Sequence, residues 1–272
     1  MAQNELVKYE PELNTIPLRK FTSVEMNLFF SIISRMRDKE DTTMRFHFDQ
    51  LKDLSDYKAT SNKRFVKDLE VTYDKLMDLR FGRRSADGLD SERFVMFTDF
   101  DIKGTSEQPY VDVSIHPKAL HLLNDLESWV RFSLHQFNEL QSSYAKTMFR
   151  LLKQFRTKGI AYFSKDDFHQ LLDIPTSYKQ GEINRSVLKP IQDELKPIFK
   201  GLTIAKKYGK GRGTPVIGYT FSFKAERKDA DDFNQHAPRT EIKKQIKEIE
   251  QGNLSDDQKQ KLIDYLEKRL ED

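Results

Sequence analysis

The eight residues "KKYGKGRG", 206–213, hold four cations and three glycines. Such a stretch can bind phosphate in two ways: a backbone cradle around one group, or flexible cations laid along a chain of them. A cradle of the P-loop type needs G-x-x-x-x-G-K-[ST] between a strand and a helix, so that a hydroxyl can hold Mg²⁺. Here Lys210 is followed by Gly211, and "TPVIGYTFSF" reads as a strand. The stretch is therefore expected to be the tip of a basic hairpin. Lys206, Lys207, Lys210 and Arg212 would meet phosphates, and Gly209, Gly211 and Gly213 would let the tip conform.

The segment before it, "INRSVLKPIQDELKPIFK", has two faces at about 100° per residue. Arg185, Lys189, Gln192, Lys196 and Lys200 fall in one sector, and Val187, Leu188, Ile191, Leu195 and Ile198 lie opposite. Asn184 and Arg185 stand near the start, where a groove-reading helix touches bases. Both can bond in pairs, Arg to guanine and Asn to adenine. Lys189, Lys196 and Lys200 suit phosphates, since an ammonium is a point charge. Pro190 is expected to bend or delay this helix.

Catalytic chemistry is not legible. The 272 residues contain no cysteine, which excludes disulfides, Cys-ligated zinc and thiol catalysis. Six histidines occur without metal spacing; His116 and His121 are five apart around Pro117. The His-hydrophobic-His motif of nicking replication enzymes is absent, and no carboxylates pair by sequence alone. The expectation is a non-enzymatic protein without metal or cofactor. No apolar run suits a membrane and the start lacks a signal peptide, so a cytoplasmic protein with no membrane partner is expected. Net charge is only +3, but its placement is uneven. Residues 182–228 carry eleven cations against four acids, and residues 229–272 eight against twelve.

The elements that position these residues recur twice. "FTSVEMNLFFSIISRMR" opens with a Thr22/Glu25 capping box and repeats Phe29, Ile32, Ile33 and Met36 at helical spacing. A strand at 46–48, an Asp49 cap and a short helix burying Leu51, Leu54 and Tyr57 follow. A third helix buries Phe65, Leu69, Tyr73 and Leu76. A hairpin comes after it, with Val111, Val113 and Ile115 alternating inward. In the second half "SSYAKTMFRLLKQFRTKG" is expected to bury Tyr144, Met148, Leu151, Leu152 and Phe155, to leave Lys146, Arg150 and Lys153 outside, and to stop at Gly159. Then come a strand, a Ser164 cap, a short helix with Phe168, Leu171 and Leu172 inward, the third helix at 181–199, and strands "LTIAKK" and "IGYTFSF".

Helix, strand, helix, helix and hairpin describe a winged helix, whose third helix enters a groove while the hairpin touches flanking backbone. The expected fold is α+β: two tandem winged-helix domains related by a pseudo-twofold repeat, at 1–130 and 131–226, with a polar linker and short helical tail at 227–272. In the tail, Ser255 and Gln258 fit a capping box. In the first domain the matching helix offers Lys63, Arg64 and Lys67, diluted by Glu70, Asp74 and Asp78, and Arg83 and Arg84 follow in a loop.

"NELV", "FTSVEMNLFFSIISRM", "INRSVLKPIQDELK", the basic hairpin and "YTFSF" together resemble the Rep initiators of iteron-containing plasmids, which are built from tandem winged helices. The likeness runs from about residue 4 to 224, and "VLKPIQDEL" is its most specific piece. The resemblance implies binding of double-stranded DNA at direct repeats of a plasmid origin as a monomer. It also implies a homodimer, formed through the N-terminal domain, that represses its own promoter, and help from a host initiator and helicase. It maps the main recognition helix onto Asn184, Arg185, Ser186 and Lys189, and further contacts of the first domain onto Lys63 to Lys67. A winged-helix transcriptional regulator is the competing reading, and a nicking replication enzyme a more distant one.

Overall fold

The computed structural model describes residues 5–18, 20–37, 43–82, 85, 87–124, 126, 128–210 and 213–227, together with 246, 249, 259, 260, 262 and 263. Residues 1–228 form one compact unit and 229–272 a second. In the second unit the described residues are helical, and the expected Ser255/Gln258 box lies outside them. Arg83, Arg84 and Arg212 also lie outside the described residues.

The first unit begins with β1 (Leu6–Tyr9) and a 3₁₀ turn (Pro11–Thr15), then α1 (Ser23–Met36), β2 (Thr43–His47), α2 (Phe48–Leu54) and α3 (Asn62–Met77). Short strands β3 (Arg80–Phe81) and β4 (Phe94–Val95) precede the hairpin of β5 (Phe97–Lys103) and β6 (Tyr110–Ile115). After a second 3₁₀ turn (Pro117–Leu122) come β7 (Val130–Ser133), α4 (Leu134–Glu139) and α5 (Ser143–Gln154). The second repeat continues with β8 (Ile160–Ser164), α6 (Lys165–Leu171), α7 (Gln180–Glu182), a π-helical turn (Ile183–Leu188), α8 (Lys189–Leu195), β9 (Thr203–Tyr208) and β10 (Val216–Ser222).

The two halves share one topology. Each has an antiparallel three-stranded sheet, ordered β2-β6-β5 in the first and β8-β10-β9 in the second, with the hairpin's returning strand in the centre. Apolar residues face each other across both: Phe46 is opposite Val111, and Phe163 opposite Tyr219. The fold is thus α+β with tandem winged helices. Strands β1 and β7 pair in register Leu6 to Ser133 and have no counterpart among the described residues of the second repeat.

Local chemistry explains the boundaries. Thr22 Oγ1 accepts from the Glu25 N–H, and Glu25 Oε2 accepts from the Thr22 N–H at 2.7 Å, the capping box that starts α1. Lys75 Nζ reaches across from α3 to both Glu25 oxygens at 2.7 Å. Replacing Glu25 by Ala removes the cap partner and strands Lys75. A stability loss of about 1–3 kcal/mol in urea unfolding is expected, and a variant as stable as wild type would refute this account of the helix start. Gly159 adopts φ +68°, the left-handed stop after α5, and an added Cβ would lie 2.6 Å from the Phe223 carbonyl. Two expectations shift by one to three residues. The strand runs over 43–47, and Phe48 already opens α2, whose N-cap is His47 without a side-chain bond; Asp49 sits in the first turn, where its charge meets the positive helix end.

One core serves both repeats. Rings run from Phe30 to Phe137 at 4.9 Å, from Phe137 to Phe132 at 5.3 Å, to Phe149 at 5.2 Å, to Phe199 at 5.9 Å and to Phe223 at 4.9 Å. Helix α5 lies at the centre of this chain, packed against α1, β7, the first 3₁₀ turn and α8.

That position overturns the expectation for its cations. Lys146, Arg150 and Lys153 are buried, because α5 has neighbours on every side instead of one apolar stripe facing a core. Lys146 Nζ donates to Asn27 Oδ1 at 2.7 Å and to the Phe137 carbonyl, and burial pulls its pKa down to about 7. The Arg150 guanidinium lies 5.0 Å from the Phe30 ring and beside Tyr9, and burial lowers its pKa too. Lys153 Nζ binds Glu226 at 2.9 Å, which also holds Arg156 at 3.3 Å. Tyr144, Phe155 and Leu171, expected inside, are partly buried against the core.

Candidate nucleic-acid interface

The third helix of the second repeat has three parts. Its first turn, α7, opens with the Lys179 N–H donating to Glu182 Oε2 at 2.7 Å. The middle turn is π-helical: the Lys189 N–H donates to the Asn184 carbonyl, five residues back. Pro190 supplies the reason. It has no N–H, and in α geometry its ring would press on the Ser186 carbonyl, so the chain opens by one residue before it. The helix then runs to Leu195 and is capped by Lys196, which keeps helical geometry at φ −57° and ψ −38°; Pro197 has no N–H with which to continue the ladder. The expectation of a helix through 199 is corrected accordingly; Lys200 sits in the turns beyond it.

Arg185, Lys189, Lys196 and Lys200 are exposed, with Asn184, Ser186 and Gln192 half-buried. Ile183, Val187, Leu188, Ile191 and Leu195 are buried beneath them. Glu194 fastens the underside: its carboxylate accepts from the Gln141 N–H at 2.8 Å and the Ser142 N–H at 3.1 Å, at the start of α5. One outward cation is already committed, since Lys189 Nζ bonds Asp193 Oδ2 at 2.8 Å.

The second wing differs from the expected loop in where its cations stand. β9 continues through Tyr208, so Lys206 and Lys207 are strand residues and the loop proper begins at Gly209, whose N–H donates to the Pro215 carbonyl at 2.9 Å. A β-strand sends successive side chains to opposite faces. Lys206 therefore points to the helix side and Lys207 to the outer face, where its Nζ lies 5.0 Å from the centre of the Tyr162 ring. Lys210 is exposed at the tip. Gly218 is required by close packing, for a Cβ there would come within 2.5 Å of Tyr162 Oη.

Helix and wing meet over an open groove of about 360 Å³ lined by Asn184, Leu188, Lys189, Gln192, Asp193, Ile204 and Lys206. Sequence reasoning placed Asn184, Lys189 and Lys206 in the interface, and the structure brings these three together. It missed Ile204 as the apolar floor, although the alternation of "TIAKKY" carries that signal.

The first repeat is built alike but charged differently. Lys63, Arg64 and Lys67 are exposed at the start of α3, with Arg64 Nε 3.9 Å from Asp68. Glu70, Asp74 and Asp78 are exposed further along. The first hairpin, 97–115, holds Asp99, Asp101, Glu107 and Asp112 against Lys103 alone, whereas 203–222 holds four cations and no acid. On the first sheet Asp112 is engaged by Arg45 through two bonds of 2.8 Å, and Arg45 stacks 3.7 Å over Tyr110. Among the described residues no group of three His, Asp or Glu side chains is placed to hold a metal ion.

Known proteins resemble the chain at three levels. The family model described as "Initiator Replication protein, WH1" matches residues 6–153, and "Initiator Rep protein, WH2" matches 164–223. A "Probable replication protein rep" of Bifidobacterium longum (strain NCC 2705) is 34% identical over 227 residues, covering 82% of this chain and 74% of that protein. The crystal structure of the Pi initiator protein in complex with iteron DNA superposes with a TM-score of 0.62 at 14% identity, covering 84% of this chain and 100% of that one. At that identity the last likeness speaks for the fold, and the fold agrees with the tandem winged helices described above. With both of its winged helices matched and a replication protein aligned along most of its length, the chain belongs to the family of initiator replication (Rep) proteins.

Proposed function

We propose that the protein starts plasmid replication by binding direct repeats of duplex DNA at the origin. Asn184, Arg185 and Ser186 read bases, while Lys189, Lys196, Lys206, Lys210 and Arg212 hold phosphates. The observation that carries this reading is the groove shared by the third helix and the second wing, in which side chains fit for base edges sit beside Lys189 and Lys206. Family membership supports the replication role, and the similar Pi initiator is found with iteron DNA. Lys63, Arg64 and Lys67 add contacts from the first repeat. Two winged helices in tandem span successive major-groove segments about 10.5 base pairs apart, so the target is asymmetric and on the order of twenty base pairs.

The same proposal holds that the chain works in the cytoplasm by binding and not by strand cleavage. It also holds that a homodimer formed through the first repeat represses its own promoter, and that the origin-bound monomer recruits a host initiator and helicase. Selection of sites from random duplex DNA, followed by footprinting, tests the core of it. One asymmetric site near twenty base pairs supports tandem reading. A short palindrome favours the dimeric regulator instead, and metal-dependent nicking of the selected site would sink the non-enzymatic part. Arg185→Ala is expected to relax base preference at one position and to weaken specific binding by about 1–3 kcal/mol. Wild-type affinity and preference in that variant would remove the helix from the groove.

A further inference from the structure

Asn184 does not stand alone at the head of the groove. Gln180 Nε2 donates to Asn184 Oδ1 at 3.0 Å and to Tyr219 Oη at 3.1 Å, and Tyr219 Oη donates back to Gln180 Oε1 at 3.3 Å. The Tyr219 ring is fully buried on β10, 4.3 Å from the Phe168 ring, and is paired in register with Lys206. Gln180 is thereby tied to the rigid part of the wing, and it holds the Asn184 carbonyl in turn. A primary amide has its acceptor at one end and its donors at the other. With the carbonyl turned to Gln180, the end of Asn184 left for the groove is the NH₂ group.

A paired bond from Asn184 to adenine needs the donor and the acceptor of one amide together, and here Gln180 already occupies one lone pair of the acceptor. We propose that Gln180 is a positioning residue for base recognition: anchored by Tyr219, it locks Asn184 as a hydrogen-bond donor, so that the helix favours guanine or thymine, whose edges offer O6/N7 or O4 with no donor beside them, over adenine, whose N7 is flanked by the N6 amino group. The inference rests on the reading of this helix as a groove reader. Gln192 has the opposite polarity, because its Nε2 donates to the Leu202 carbonyl at 3.0 Å and its Oε1 is the end left over. The groove thus presents a donor at one end and an acceptor two turns on.

Binding-site selection on the full chain at physiological salt tests the clamp with wild type, Asn184→Ala, Gln180→Leu, Gln180→Glu and Tyr219→Phe. Wild type should select guanine or thymine at the position that Asn184→Ala relaxes. Gln180→Leu should cut the preference there by about tenfold, leaving the other positions, the salt slope and the melting temperature unchanged. Should Gln180→Leu fail to fold, Tyr219→Phe keeps the ring packing, removes the anchor and should give the same local loss. Gln180→Glu is the sharper probe. A carboxylate only accepts, so Asn184 must turn its NH₂ inward and present its carbonyl, moving the preference to adenine or cytosine, which carry an amino group. Adenine at this position in wild type, or wild-type preference kept in the Gln180 variants, overturns the clamp while the groove reading stands. No selected sequence at all overturns both.

Discussion

Removing Lys206 and Lys210 together will flatten the dependence of log Kobs on log salt by about 1.8, and removing Lys207 as well will change it little further. Each phosphate neutralised on duplex DNA releases counterions worth about 0.9 in that slope. Lys206 lines the groove, and Lys210 stands exposed at the tip. Lys207 lies on the opposite face of β9 with its ammonium over the Tyr162 ring. At low salt the double variant should bind all duplexes more weakly, matched and unmatched alike, because phosphate contacts carry no sequence. Fluorescence anisotropy at four or five salt concentrations with both kinds of duplex measures this directly. An unchanged slope in the double variant would take the wing off the DNA, and a slope that falls again with Lys207→Ala would mean that the outer face of the sheet touches it too.

The stability of the protein should rise by a few kcal/mol between pH 7 and pH 10, and Lys146→Met should abolish most of that rise. Burial holds the folded-state pKa of Lys146 at about 7, well under the ~10.4 of an unfolded lysine. Within that window the unfolded chain keeps a proton that the folded chain gives up, so raising the pH favours folding. Glu194 and Asp56 act against the shift, and burial outweighs both. Tyr9 and Tyr57 set the upper limit. Burial raises both to about 12, and the stability they contribute below pH 10 is lost as the pH climbs through that interval. Urea unfolding at pH 7, 8.5 and 10 provides the comparison. Parallel pH profiles for wild type and Lys146→Met would show that Lys146 remains charged in the folded protein.

The repeated order of elements was legible because its signals are local. Side-chain caps at Thr22 and Ser164, the left-handed stop at Gly159 and the alternation of Val111, Val113 and Ile115 each act within a few residues. The pairing of β1 with β7 was not legible, since two four-residue strands more than a hundred residues apart leave no mark on each other's sequence. Nor was the burial of Lys146, Arg150 and Lys153. A helix wheel assumes one wet face, and α5 is buried all round from Ala145 to Lys153, which depends on what the other repeat packs against it. The π-turn did leave a trace. Ile183, Val187, Ile191 and Leu195 recur every four residues, and in a regular α-helix four residues overshoot a full turn by about 40°. A widened turn takes up that drift and keeps all four in the core. In the interface, residue type and spacing pointed to Asn184 and Lys206, but not to the hydrogen bond that decides which end of the Asn184 amide is offered.

The widened turn also gives the recognition surface an unusual genetic lever. Its extra residue is stored between two segments fixed independently, Gln180 to the wing and Glu194 to the start of α5. An in-frame deletion of one codon in this turn would let it close to regular α geometry, shifting Asn184 against Lys189 while both anchors hold. It would leave the hairpin, the sheet and the aromatic chain of the core in place. A single small deletion, and the single insertion that reverses it, could thus move the protein between target sequences in one step, where substitution would have to exchange Asn184, Arg185 and Gln180 one at a time.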